Sequence, residues 1–428
     1  MAPLLAYWDV RGFAQAIRNL LVYEGVEFED KRYQHGPPPE HGRGEWLKDK
    51  FNLGLKFPNL PYYMDDDVKI TQSLAILRYL ARKYDLNARN DVEATELDVL
   101  EQQAQDLCLI LAYEAVPMPR YREGLKSYAE NVADVLRPWA KHLAGLKWAL
   151  GERLTYVDFL LYEGLDWHRV KQSFAADLLR KEKIDTSFRV SEAWLGAAVI
   201  WYQVMAPVLG YWNVRGLAQP IRNLLVYKGV SFEDKQYKFG PPPDYDLSVW
   251  HKGEKYKLGL TFPNLPYYID GDVKLTQSLA ILRYLGRKHD LAARNEREMT
   301  ELDVIEQQAR DLCLTLINAA APNPTAEHGL ESYVEKMSQI LRSWDDFLAS
   351  RKWTMGDRLT YVDFLLYEGL DWHREFKPSV VQGYQNIVDY LKRFEKLPNM
   401  EEYFASDRYI KWPILGPFRM WGYRKSSK

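Results

Sequence analysis

Leu4 to Trp8 is a short apolar run of the length a buried strand needs. From Gly12 to Tyr23 the apolar positions Phe13, Ile17, Leu20 and Leu21 recur at helical spacing. Val26 to Tyr33 alternates, with Phe28 among charged neighbours, and reads as a second strand; Gly36-Pro37-Pro38-Pro39 then forces a loop. Trp46 to Leu53 reads as a short helix. Leu60 to Met64 reads as a strand with Pro61 near its head, where a missing N–H is tolerated. Asp65-Asp66-Asp67 turns the chain into Val68 to Thr71, and Ser73 is the expected cap of a helix running to Lys83. The order is βαβαββα. From Asp91 the pattern is wholly helical, over Val92 to Leu111, Tyr128 to Leu143 and Thr155 to His168. The last opens on Thr155-Tyr156-Val157-Asp158, a capping box with Asp in the reciprocal position.

All of this occurs twice. Tyr7-Trp8-Asp9-Val10-Arg11-Gly12 returns as Tyr211-Trp212-Asn213-Val214-Arg215-Gly216, and Thr71 to Leu80 returns unchanged as Thr276 to Leu285. Phe57 to Tyr63 returns as Phe262 to Tyr268, and Gly151 to Arg169 returns as Gly356 to Arg374 with one Glu152-to-Asp357 difference. A period of about 204 residues is far longer than a solenoid unit, so the chain is a tandem copy of a two-part protein. The expected domains are an α/β domain over 1–86 and an all-α domain over 87–169, then an unmatched junction over 170–204. A second α/β domain spans 205–291 and a second all-α domain 292–428. Copy two runs about 54 residues beyond Arg374, and copy one has no counterpart of that tail. Copy one is therefore expected to be truncated and only marginally stable alone, while copy two folds independently. The junction reads either as a degenerate linker in a fusion or as read-through between two adjacent genes. Its apolar stretch, Ala193 to Trp212, is interrupted by Gln203, Pro207 and glycine and is not expected to span a membrane.

Composition narrows the function. Lys+Arg 57 against Asp+Glu 59 gives a net charge of −2, which argues against nucleic acid and against a polybasic membrane surface as partners. Two cysteines make no disulfide framework, and Asp9 and Arg11 fall too early for a secretory apolar segment, so a cytoplasmic setting is expected. No HExxH, CxxC, GxSxG, Walker or dinucleotide fingerprint is present. No metal and no resident cofactor are expected, and the chemistry falls to ordinary side chains acting on a bound cosubstrate. The strand-turn-helix at Ser73 offers free backbone N–H groups and a hydroxyl to a carboxylate. The proline at the neighbouring strand leaves backbone at Leu60 for an extended peptide. Tyr7 ends the first strand, with a phenol placed to donate to a nascent anion. A small acidic peptide bearing a nucleophile fits all three.

Taken together, Tyr-Trp-Asp-Val-Arg-Gly, Phe-Pro-Asn-Leu-Pro-Tyr, Thr-Gln-Ser and Thr-Tyr-Val-Asp-Phe-Leu closely resemble cytosolic glutathione transferases of the mu class. The Gly-Pro-Pro-Pro loop before Arg43 and Trp46 is similar to that class's extra loop. The resemblance covers 1–169 and 205–428. It implies, in each copy, a thioredoxin-like domain followed by a helical domain, with glutathione as cosubstrate, small hydrophobic electrophiles, and dimer-like pairing within or between chains. Tyr7 and Tyr211 match the tyrosine that donates to the glutathione sulfur, favouring the nucleophilic thiolate. Gln72 and Ser73, with Gln277 and Ser278, match the holders of the γ-glutamyl carboxylate. Leu60 and Leu265, each before an expected cis proline (Pro61, Pro266), match the backbone partner of the cysteinyl unit, and Asn59 and Asn264 line the same groove.

Trp8, Arg43, Trp46 and Lys50 match the group around the glycyl carboxylate. Copy two keeps Trp212, Trp250 and Lys255, the last after a one-residue insertion, but carries Leu247 in place of Arg43, so weaker glutathione binding is expected there. Asp106 and Asp311 match an aspartate that reaches across to the partner's γ-glutamyl ammonium. Phe57 and Phe262 match an aromatic key, and Arg78 and Arg283 an arginine near the two-fold axis. Tyr113 lies near the family's electrophile-site tyrosine, where copy two has Asn318. Cys108 and Cys313 are expected to be packed, unreactive thiols. The alternative to an enzyme is a carrier of hydrophobic ligands, or a structural protein, on the same scaffold.

Overall fold

The computed structural model describes residues 2–36, 42–115, 132, 134–181, 206–321 and 329–423, with the backbone alone for 111–115 and 169–181. Each copy begins with a four-stranded mixed sheet. In copy one, β1 (Leu4–Trp8) runs parallel to β2 (Glu29–Tyr33) and antiparallel to β3 (Tyr62–Asp65), which pairs antiparallel with β4 (Val68–Thr71), in the order β2-β1-β3-β4. Copy two repeats this with β5 (Val208–Trp212), β6 (Glu233–Tyr237), β7 (Tyr267–Asp270) and β8 (Val273–Thr276). The expected βαβαββα order holds, and the strand register places Tyr7 opposite Arg32 and Tyr211 opposite Gln236, at the ends of the central strands.

Helices α1 (Gln15–Tyr23), α2 (Gly44–Asp49) and α3 (Ser73–Lys83) complete the first domain. The α1 face of Ala16, Ile17, Leu20 and Leu21 is buried, as its spacing requires. Gly25, at φ 64, closes that helix, and the Val26 N–H returns to the Leu21 carbonyl at 2.9 Å. Val26 is thus part of the helix stop, which is why β2 starts at Glu29 and not at Val26 as expected. Ser73 is not the N-cap: Gln72 holds that position at φ 74, and Ser73 is the first helical residue.

The helical domain of copy one contains α4 (Asp91–Ala115), α5 (134–143) and α6 (Tyr156–Lys181). The expected helix from Tyr128 is described only from 134, and the expected helix ending at His168 continues to Lys181. In copy two the matching elements are α7 (Gln219–Tyr227), α8 (Ser278–Lys288), α9 (Glu296–Ala319), α10 (Leu330–Leu348) and α11 (Tyr361–Phe376). They are followed by α12 (Pro378–Val381), α13 (Gln385–Glu395) and α14 (Met400–Ala405). The expected capping box is present at Thr360 and Asp363; in copy one the Thr155 N–H donates to Asp158 at 2.8 Å. Of the apolar stretch 193–212, residues 193–205 lie outside the described residues and 208–212 are β5. Among the described residues no helix is long and apolar enough to cross a membrane.

Two large cores result, beside a smaller cluster on each sheet around Trp46 and Trp250, and each large core contains one aromatic residue of the other copy. Phe262 is buried in the core of copy one and Phe57 in the core of copy two. Copy two's core also takes in Ile387, Tyr390, Phe394 and Met400 from α13 and α14, and Ile414 and Leu415 from the segment beyond. Side chains of this size stabilise by about 1.5–3 kcal/mol each when fully buried.

Candidate functional site

The end of β1 delivers the Tyr7 hydroxyl into a turn that only glycine can close. Gly12 has φ +38, and a Cβ there would stand 2.6 Å from the Tyr7 ring and 2.8 Å from its hydroxyl. Gly216, at φ +44, meets Tyr211 in the same way at 2.6 and 2.7 Å. The Tyr211 oxygen accepts the Leu217 N–H at 3.3 Å, and the Phe13 backbone acts on Tyr7 in the corresponding place. Desolvation pushes both phenols above their ordinary pKa, against the opposing pull of those backbone groups and of Arg18 or Arg222. At neutral pH each is a protonated donor, and the Tyr211 oxygen is already fixed by a backbone group. Such a phenol can hydrogen-bond an anion without surrendering its own proton.

Gln72 and Gln277, at φ 74 and 70, begin α3 and α8 in the left-handed region, which turns the first N–H groups of each helix toward the same space. Their side chains do not stay within their own copy. Gln72 Nε2 donates to Asp311 at 2.8 Å and Gln277 Nε2 to Asp106 at 2.7 Å. Burial raises both carboxyl pKa values, opposed by these hydrogen bonds and by the charge of Arg310. The structure thus brings Asp106 and Asp311 each against the glutamine that begins a helix of the other copy.

The Leu60–Pro61 and Leu265–Pro266 bonds are cis. The N–H groups of Leu60 and Leu265 are not left open, however; Asn59 and Asn264 accept them at 2.9 Å in each case. The expectation of unpaired backbone at Leu60 is corrected on that point, because the preceding side chain satisfies the donor the proline geometry exposes.

Trp46 and Trp250 are core residues, packed on Tyr62 and Tyr267 respectively, and so wall the site and do not rim it. Trp8 stacks on His35 and Trp212 on Phe239. Arg43 is exposed, and Lys50 is half-buried; desolvation and then the Arg43 charge lower the Lys50 pKa. In copy two the one-residue insertion is absorbed as a π-helical turn over Val249–Glu254. The Lys255 N–H reaches the Trp250 carbonyl at 3.1 Å, as the Lys50 N–H reaches that of Trp46 at 2.9 Å. Both lysines end their turns in the same backbone conformation, so the insertion leaves the Trp-to-Lys relation intact. Leu247 supplies no second cation.

Between the copies, Phe57 packs on Trp344 and Phe347 with ring centroids 4.9 and 5.2 Å away, and Phe262 on Trp139 and His142 at 4.8 and 5.4 Å. Arg78 bonds Glu101 of its own copy and Asp303 and Glu306 of the other, and Arg283 bonds Glu306, Asp98 and Glu101. Cys108 and Cys313 are buried, and burial lifts the Cys108 thiol to about 12. The side chain of Tyr113 lies outside the described residues; Asn318 is exposed on α9.

Sequence reasoning missed three features. Gly12 and Gly216 shape the tyrosine turn. Arg11 and Arg215 tie that turn to α6 and α11 through Glu163 and Glu368. Arg310 donates across the copies to Gln105 at 2.5 Å. The repeat itself carried the first two, since Arg-Gly follows the tyrosine in both copies; nothing in the sequence shows that positions 105 and 310 meet.

A family model described as Glutathione S-transferase, N-terminal domain, matches residues 3–82 and again 207–287. One described as Glutathione S-transferase, C-terminal domain, matches 112–189 and 311–407. Glutathione S-transferase Mu 2 of Rattus norvegicus is 45% identical over 217 residues, which span 51% of this chain and 99% of that protein. Glutathione S-transferase Mu 1 of Bos taurus is 44% identical over 218 residues, with the same shares covered. Glutathione S-transferase Mu 1 of Homo sapiens is 43% identical over 218 residues, again spanning 51% and 99%.

Proposed function

We propose, for a chain that belongs to the glutathione S-transferase family and carries its two domains twice, that each copy conjugates the sulfur of glutathione to a small hydrophobic electrophile. Tyr7 and Tyr211 are the catalytic residues. The hydroxyl of each donates a hydrogen bond to the sulfur, so the thiol gives up its proton near neutral pH. The thiolate then forms a bond to the electrophilic carbon; the displaced pair departs with the leaving group or, in an addition, moves from the double bond onto the neighbouring atom, which takes a proton from water. The observation that carries this reading is the phenol at the end of each central strand, held in a turn closed by Gly12 or Gly216, with the Tyr211 oxygen accepting the Leu217 N–H.

The remaining residues bind. Gln72 and Ser73 at the start of α3 hold the γ-glutamyl carboxylate of one glutathione, with Asp311 of the other copy facing its ammonium; Gln277, Ser278 and Asp106 form the mirror set. Trp8, Trp46, Arg43 and Lys50 enclose the glycyl carboxylate in copy one, and Trp212, Trp250 and Lys255 in copy two. Asn59, Leu60, Asn264 and Leu265 line the cysteinyl unit. Each site draws a carboxylate from the other copy, so the two copies work as an intramolecular pair. Free buried thiols suit a reducing compartment, and we place the protein in the cytoplasm.

Turnover of a chromogenic aromatic electrophile with glutathione tests the reading. Tyr7→Phe and Tyr211→Phe should each remove one site's share, and the double variant should lose about ten- to a hundredfold of kcat/KM. An unchanged double variant overturns it. Ligand binding without any turnover in the unaltered chain supports the carrier alternative instead.

A further inference from the structure

Over one stretch of the helices through which the two copies meet, the repeat is exact save at one position. Glu101 to Leu109 returns as Glu306 to Leu314 with a single change, Gln105 to Arg310. The two differing residues are partners: Arg310 Nη1 donates to Gln105 Oε1 at 2.5 Å. Residues 105 and 310 immediately precede Asp106 in one copy and Asp311 in the other, and the Arg310 charge acts on both carboxylates.

The surrounding charges give that cation its meaning. One helical turn earlier, Arg78, Arg82, Arg283 and Arg287 are paired with Asp98, Glu101, Asp303 and Glu306, so four cations meet four carboxylates. In the next layer two carboxylates, Asp106 and Asp311, are faced by a single cation. Arg310 acts on both of them, while their hydrogen bonds come from the neutral amides of Gln277 and Gln72. Desolvation penalises both carboxylates, and without Arg310 neither has a charged partner among those interactions.

We propose that Arg310 is a positioning residue shared by the two glutathione sites: one guanidinium between the copies stabilises the carboxylates Asp106 and Asp311, one of which belongs to each site. This rests on the assignment of those aspartates to the γ-glutamyl ammonium. It makes the two sites electrostatically dependent on a charge that the sequence of copy one does not contain. It also makes the pairing of unlike copies favourable, since two copies of the second kind would bring Arg310 against its own twin.

The test uses the full chain, read one site at a time in Tyr7→Phe and Tyr211→Phe backgrounds. Arg310→Gln restores the residue of copy one and keeps an amide facing Gln105, so it removes charge and leaves a hydrogen-bonding group. It should raise KM for glutathione about three- to tenfold in both backgrounds, with kcat changed by less than about twofold. Arg310→Lys should retain most of the affinity. Adding Gln105→Arg to Arg310→Gln moves the charge to the other copy and should return both KM values toward the original. An effect confined to the Tyr7 site, whose aspartate is Asp311, would overturn the proposal, as would a fall in kcat at unchanged KM or a charge swap that restores neither site. Absence of glutathione-dependent turnover in the unaltered chain would instead remove the assignment beneath it.

Discussion

Arg11 and Arg215 occupy the same place in the repeat and bond the same carboxylates, Glu163 with Asp166 in copy one and Glu368 with Asp371 in copy two. Their surroundings differ completely. The Arg11 side chain is 46% exposed and that of Arg215 is 0% exposed. What covers Arg215 is the end of copy two: the Arg215 N–H donates to Pro413 at 2.9 Å, the Gly216 N–H to Ile414 at 3.0 Å, and the Tyr409 ring lies 5.5 Å from the guanidinium. The sequence of copy one contains no relative of that segment. One motif therefore yields a half-exposed arginine on buried carboxylates in one copy and a sealed ionic core in the other, and what a residue contributes is set by what lies over it.

The largest consequence is in stability. Arg215→Leu leaves Glu368 and Asp371 buried without their cation and should destabilise the chain by about 3–5 kcal/mol. Arg11→Leu removes a half-exposed guanidinium from a buried carboxylate, Glu163, that keeps the Asn19 amide as a donor, and should cost less, about 1–3 kcal/mol. Chemical denaturation of the two variants measures both, and equal losses would break the comparison.

A second contrast is in pH. His373, buried on α11 against Tyr333 and the Gly369 carbonyl, has its pKa lowered to about 4 by desolvation. The folded state keeps the ring neutral while the unfolded chain protonates near 6.5, so stability is fully present above about pH 6.5 and is lost as pH falls toward 4. Over that window His373→Gln should flatten the acid loss of unfolding midpoint, by an amount on the order of 2–3 kcal/mol at pH 4. A variant with the same pH slope as the parent would show that the ring is not the group responsible.

The smallest expected effect is at the glycyl end of the sites. Leu247→Arg should bring copy two's glutathione affinity up, and Arg43→Leu should bring copy one's down, each by about 1 kcal/mol, or roughly fivefold. The exposure of Arg43 keeps this at the low end for a charge-assisted contact. The KM for glutathione in the Tyr7→Phe and Tyr211→Phe backgrounds, where only one site turns over, separates the two; identical values before and after would mean that Lys50 and Lys255 suffice.

Much of this was legible in the residues. The element order βαβαββα and the helical domains follow from periodicity, because they depend on local pattern repeated twice, and Tyr7, Gln72 and Ser73 were singled out by motif. The misreadings share a cause. Ser73 was a good cap by type, but the left-handed backbone of Gln72 takes the N-cap position. Val26 alternates like a strand, but the glycine before it returns the chain to α1. Leu60 was read as open because the bond from Asn59 is a choice of rotamer, not of sequence. The π-helical turn at Val249–Glu254 and the Arg310–Gln105 contact depend on three-dimensional register, which no one-dimensional pattern records.

The central claim concerns a proton on a sulfur atom. Ultraviolet titration of glutathione bound to the full chain follows thiolate formation directly. Binding should shift ionisation to lower pH than in free glutathione, and Tyr7→Phe with Tyr211→Phe should return it toward the free value. A bound thiol that titrates like the free peptide, or one that ionises equally well without either hydroxyl, would contradict the account.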